Sequence, residues 1–140
     1  MTFLLDTNVI SEMMMPLPDP GVMAWMTANQ DECSLSAITL AEMARGVEAL
    51  ADGKRKNELT KRLAFLQEDY SDRILPVDEI VSWEWARYVN RIKAAGHAIS
   101  VMDSLIAATA LASRLTVVTR NTGDFLDVPT LNPFSSAESP

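Results

Sequence analysis

Four carboxylates stand at equivalent places along the chain. Asp6 lies directly behind the apolar triplet Phe3-Leu4-Leu5, and Glu42 opens a helical stretch after the strand-like run from Cys33 to Ile38. Asp103 is at the start of a strongly apolar helical stretch, and Asp124 is in the loop after Thr116-Val117-Val118-Thr119. Each acid taken singly reads as a helix cap. Thr39-x-x-Glu42 and Ser100-x-x-Asp103 match the box in which an acid bonds back to a free N–H, and Asp6 or Asp124 would serve as simple caps. Asp103 shifts the balance, because it is the sole charged residue between Val101 and Ser113. A carboxylate taken out of water without a partner costs several kcal/mol, so it must be neutralised, paired or bound to a cation. Asp6 meets the same demand.

Ionised acids gathered at helix N-termini repel one another, and a divalent cation relieves that repulsion. Oxygen ligands select magnesium or manganese, whereas a zinc site of the usual kind has only one histidine and one cysteine to draw on. His97 follows Gly96 in an expected loop and reads as a surface residue rather than a catalytic one. Without a histidine base, a serine–histidine pair or a phosphate-binding glycine loop, the remaining chemistry is metal-assisted attack of water on a phosphodiester. There the ion would lower the pKa of water, orient it, and neutralise charge on the phosphoryl oxygens.

For the four acids to meet, the elements before them must be parallel strands, whose carboxyl ends share one edge and form the ligand crevice of open α/β sheets. The pattern supplies such elements: short apolar runs alternate with longer helical stretches, the signature of an α/β domain with a mainly parallel sheet. Strands are expected at Phe3 to Leu5, Cys33 to Ile38, Ile74 to Val77, Leu115 to Thr119 and, more weakly, Val128 to Leu131. Pro76 makes the third a short edge strand. A short helix begins at Asp6-Thr7-Asn8 and halts near Pro16, and a second runs from Gly21 to Asn29 with Val22, Trp25 and Met26 on one face. Leu40, Met43, Ala44, Val47 and Leu50 form an amphipathic stripe, and Leu59, Leu63 and Leu66 turn inward on a helix from Lys54 to Asp69. Asp78 to Ala95, ended by Gly96, and Ser100 to Arg114 complete the helices.

A chain of 140 residues accommodates one domain, expected over residues 1–134, with a loose tail at residues 135–140. The formal charge of −7 argues against a broad basic nucleic-acid-binding face, so any such role must be local. Lys54, Arg55, Lys56, Lys61 and Arg62 do cluster on one helix, where a solvated face is the simpler reading. Cys33 has no intrachain partner and no basic neighbour, and it reads as a small strand residue. With no signal-peptide pattern and no apolar run near the roughly 20 residues of a membrane span, a cytoplasmic protein without membrane contact is expected.

The blocks Leu4-Leu5-Asp6-Thr7-Asn8-Val9-Ile10-Ser11-Glu12, Ser36-Ala37-Ile38-Thr39-Leu40-Ala41-Glu42, Asp103-Ser104-Leu105-Ile106-Ala107-Ala108-Thr109-Ala110 and Thr119-Arg120-Asn121-Thr122-Gly123-Asp124-Phe125 resemble, in order and spacing, those of VapC-type PIN-domain toxins. The likeness covers nearly the whole chain and points to the FitB-like branch, which shares the Gly46-to-Asn57 stretch and the Asn132-Pro133 ending. The resemblance implies a three-layer α/β/α sandwich with strand order 3-2-1-4-5, and a magnesium- or manganese-dependent endoribonuclease within a type II toxin–antitoxin pair. It implies that Asp6, Glu42 and Asp103 hold metal, with Asp124 a fourth metal-binding acid, directly or through water. Thr7, Thr119 and Asn121 would orient the acids by hydrogen bonds, and Lys54, Arg55 and Lys56 would touch RNA phosphates or merely solubilise their helix. The partners it implies are an RNA substrate, a second copy of the chain, and a small antitoxin that also binds operator DNA.

Two other readings stay open on the sequence. An Asp after the first strand also opens the haloacid-dehalogenase-type phosphatases, where it is the nucleophile, but the second acid those enzymes place two residues later is Asn8 here. A catalytically inactive PIN fold kept as a binding module is the non-enzymatic alternative, and retention of all four acids counts against it.

Overall fold

The computed structural model describes residues 1–135. All but the first residue of the expected tail, residues 136–140, therefore lie outside the described residues. Its centre is strand β1 (Phe3–Leu5), flanked by β2 (Cys33–Ser36) and β4 (Thr116–Val118), with β3 (Ile74–Leu75) and β5 (Thr130–Leu131) at the edges. The order is β3-β2-β1-β4-β5 and every pairing is parallel, with Phe3 in register with both Cys33 and Thr116.

A strand covered on both faces must be apolar on both, and Leu4 and Leu5 are each fully buried, on opposite sides of the sheet. Leu5 packs with Val9 and Ile10 of α1 (Thr7–Met13), Val22 and Met26 of α2 (Pro20–Asn29), Met43 and Val47 of α3 (Ala37–Glu48), and Leu63 of α4 (Lys54–Asp69). Leu4 packs with Tyr88 and Ile92 of α5 (Glu79–Ala94) and with Ile106, Ala107 and Ala110 of α6 (Val101–Ser113). The result is the expected three-layer sandwich.

β1 has the expected bounds, but the other four strands are shorter than the apolar runs that announce them. Pro76 has no N–H to give, so β3 stops at Leu75. Ser36 accepts a hydrogen bond from the Ile38 N–H at 3.0 Å and starts α3 two residues before the expected end of β2. The capping box read at Thr39 and Glu42 therefore does not exist. Thr39 is buried within the first turn, its hydroxyl directed at the Leu5 carbonyl at 3.5 Å, and Glu42 lies in the second turn.

The chain from Pro133 to Ser135 returns across the N-terminus of α2. Asp19 caps that helix through the Val22 N–H and also accepts from the Ser135 N–H at 3.0 Å and hydroxyl at 2.7 Å. Gly21 permits the crossing, because a Cβ there would sit 2.6 Å from the Ser135 nitrogen and 2.7 Å from the Pro133 carbonyl oxygen. Ser135, assigned to the loose tail on sequence, is thus anchored. Among the described residues, no helix is long and apolar enough to cross a membrane.

Candidate active site

The strand order reverses at β1, whose two neighbours are reached by connections running in opposite directions, and the crevice of such a sheet opens at the carboxyl ends of the strands there. Asp6 occupies that point on β1 and Thr119 on β4. The Asp6 N–H extends the ladder to the Val118 carbonyl at 2.9 Å, so its backbone is fixed by the sheet itself. Its carboxylate accepts from the Thr7 N–H at 2.8 Å on one oxygen, and from the Thr119 hydroxyl at 2.8 Å and the Asn8 amide at 3.2 Å on the other.

Glu42 reaches the same place from α3, accepting from the Thr7 hydroxyl at 2.6 Å. Asp103 enters from the first turn of α6, where its N–H donates to the Ser100 hydroxyl at 3.1 Å. Asp103 is half-buried, whereas Asp6 is only 5% exposed. Asp6, Glu42 and Asp103 line one cavity of about 450 Å³, together with Asn8, Glu12, Arg120 and neighbours from α1.

Electrostatics records their proximity. Burial raises the Asp6 pKa, hydrogen bonds from Thr119 and Thr7 lower it, and the charges of Asp103 and Glu42 raise it again, leaving it above the ordinary carboxylate value. Burial also raises Asp103, opposed by Ser100 and reinforced by Asp124 and Glu42. Among the described residues, no three acidic, histidine or cysteine side chains are drawn together tightly enough to enclose an ion unaided. The donor set nonetheless suits a hard cation: it is all oxygen, already carries mutual repulsion, and magnesium usually completes its shell with several waters.

Asp124 stands apart. It ends the 3-10 turn Thr122–Asp124, is exposed, and lines a second cavity of about 410 Å³ with His97, Ser100, Tyr88 and Leu126. Asp103 borders both cavities, and the charge of Asp124 helps to raise its pKa. His97 is exposed, on the rim of that second cavity.

Of the supporting residues named from sequence, Thr7 and Thr119 contact the acids directly. The Asn121 side chain bonds to neither among the described residues; its backbone N–H donates to the Thr119 hydroxyl at 3.0 Å. Asn8 was missed, although it ties Asp6 and Thr119 together and accepts from the Arg120 N–H at 3.1 Å. A signal for it exists: Asn8 and Glu12 are one turn apart on a helix whose other face is Val9, Ile10 and Met13.

Lys54, Arg55 and Lys56 are in the first turn of α4, and none of them lines the acidic cavity. The Lys56 ammonium is occupied by the Glu48 carbonyl at 3.2 Å and Asp52 at 3.5 Å. Arg55 lines a largely apolar groove of about 350 Å³ that runs from Thr7 and Glu42 past Met14, Met43, Val47, Leu50 and Leu59. Cys33 is the small buried strand residue expected, its thiol pushed up to about 11 by burial.

Comparison with known proteins accords with this arrangement. Residues 3–131 match the family model described as the PIN domain. The chain is 44% identical over 135 residues to the toxin FitB of Neisseria gonorrhoeae, spanning 94% of this chain and 97% of that protein. It is 40% identical over 139 residues to the VapC ribonuclease Y4jK of Sinorhizobium fredii, spanning 95% and 98%. A solved structure of FitAB bound to an IR36 DNA fragment contains a chain that superposes with a TM-score of 0.89 at 43% identity, covering 94% of this chain and 95% of that one. The chain belongs to the PIN-domain family, on its VapC-type, FitB-like branch.

Proposed function

We propose that this protein is a cytoplasmic, divalent-metal-dependent endoribonuclease, the toxin of a type II toxin–antitoxin pair. The observation that carries the reading is the single cavity at the sheet's switch point lined by Asp6, Glu42 and Asp103. These three carboxylates would hold magnesium or manganese, with Asp124, which lines the neighbouring cavity that Asp103 also borders, a fourth acid binding through water. When bound, the ion supplies an activated water and neutralises charge on the scissile phosphate. The chain's own part is to hold the acids in place: Thr119, Asn8 and the Thr7 N–H fix Asp6, and the Thr7 hydroxyl fixes Glu42. The names of FitB and of the VapC ribonuclease Y4jK support the toxin and ribonuclease assignments.

The apolar groove beside the acidic cavity has the chemistry to receive an antitoxin arm bearing apolar and basic side chains, and the net charge of −7 favours such a partner. That the FitAB complex was solved on DNA supports an antitoxin that also binds operator DNA. Ile80 and Trp83 on α5 and Val101 and Met102 on α6 are exposed, an apolar surface suited to pairing with a second copy. Lys54 and Arg55 remain candidates for RNA phosphate contact.

The test is cleavage of single-stranded RNA by the purified chain freed of any partner. Cleavage is expected with magnesium or manganese and not with a chelator. Asp6→Ala or Asp103→Asn is expected to abolish it while circular dichroism stays unchanged; full activity in either variant contradicts the assignment.

A further inference from the structure

An acidic cavity that must admit a polyanion needs a cation of its own, since a bound divalent ion offsets only part of the carboxylate charge. Arg120 is the one basic residue that lines the cavity among the described residues. Its place is tightly specified. The backbone N–H donates to Asn8, which in turn donates to Asp6, so Arg120 is one side chain removed from the best-ordered acid. Its guanidinium lies 4.4 Å from the centre of the Phe134 ring. Among the described residues it is within ion-pair distance of no carboxylate, unlike Arg73, Arg87 and Arg91, each beside an acid.

A guanidinium stacked on a ring uses its flat face and keeps its N–H edge for a planar or tetrahedral oxyanion. Phe134 is a firm platform: it is 3% exposed, its N–H donates to the Asn132 side chain at 2.9 Å, and the next residue is clamped on Asp19.

We infer that Arg120 is a substrate-binding residue that grips a backbone phosphate of the RNA at the rim of the acidic cavity, held ready by its stack on Phe134. The inference rests on the proposed nuclease reading and adds to it a phosphate contact on the β4 side of the cleft. It also gives the chain's return from Asn132 to Ser135 a role in substrate binding.

The test compares the full-length protein with Arg120→Ala, Arg120→Lys and Phe134→Leu on one fluorescently labelled single-stranded RNA oligonucleotide. The readouts are KM, kcat and the dependence of kcat/KM on salt. Loss of one charge-assisted phosphate contact is expected to lower kcat/KM by about 10- to 100-fold in Arg120→Ala, chiefly through KM. It also reduces the slope of log kcat/KM against log salt by about 0.7, the value for one phosphate on a single strand. Arg120→Lys keeps the slope and regains part of the affinity, and Phe134→Leu costs about 2- to 5-fold. A salt slope in Arg120→Ala equal to that of the unaltered protein overturns the inference, even if the variant is less stable. If the protein binds the oligonucleotide without cleaving it, the nuclease reading fails but the same slopes, measured by fluorescence anisotropy, still decide Arg120. Absence of both binding and cleavage overturns both.

Discussion

Asp6 and Asp124 line different cavities, both bordered by Asp103, and the fold treats them differently. Asp6 is buried at the end of the central strand, with its N–H in the sheet ladder and both carboxylate oxygens receiving hydrogen bonds. Asp124 is exposed on a 3-10 turn, and among the described residues its side chain accepts no hydrogen bond. A carboxylate fixed in advance loses little freedom when an ion arrives, but it bears the desolvation and repulsion that raise its pKa while no ion is present. An exposed acid avoids that penalty and contributes less directed binding. On the proposed nuclease reading, we infer from this contrast that Asp6 contacts the metal directly and that Asp124 plays a peripheral part.

The largest effect that sharpens this contrast is expected from Asp103→Asn, which removes the acid shared by both cavities. Cleavage should fall by about 1000-fold or more, on the scale of losing a principal electrostatic group in an active site. Thr119→Val removes a hydrogen bond to Asp6 with little change in volume. It should weaken metal affinity or activity by about 10- to 100-fold, measured by metal titration of the cleavage rate. Asp124→Ala should cost less than either, about 10-fold or below, because the supporting shell of Asp6 is untouched. A loss as large as that of Asp103→Asn would break the comparison.

A smaller effect concerns stability. The folded-state pKa of Asp6 is raised above 3.8, so between that value and the raised one the native protein binds more protons than the unfolded chain. Its contribution to stability is therefore greatest at low pH, declines as pH rises through the raised pKa, and is flat above it. Asp6→Asn removes that penalty. The metal-free variant should unfold at a higher temperature than the unaltered protein at neutral pH and show less of the decline. Magnesium should raise the midpoint of the unaltered protein only.

Where local periodicity sets the structure, the sequence could be read closely. Leu59, Leu63 and Leu66 defined a helix from Lys54 to Asp69, and the structure has it at those bounds. Strand ends were less legible, because an apolar run reports burial and not hydrogen bonding: β2 gives way at Ser36 to a cap invisible in the Cys33-to-Ile38 pattern. The convergence of Asp6, Glu42 and Asp103 followed from parallel-sheet topology, in which equivalent positions share an edge. The separation of Asp124 did not, since loop geometry after β4 leaves no periodic trace. Asn8 and Arg120 meet across 112 residues, and nothing in the local pattern of either announces the other.

The central claim is that Asp6, Glu42 and Asp103 share one hard divalent ion. Crystals soaked in manganese, with diffraction recorded where manganese scatters anomalously, test it most directly. The account predicts one principal anomalous peak in the cavity between the Asp6 and Asp103 carboxylates, with Glu42 bound directly or through water, and its loss in Asp103→Asn. A protein that cleaves RNA while its manganese sits elsewhere, or leaves these three acids uncontacted, would contradict it.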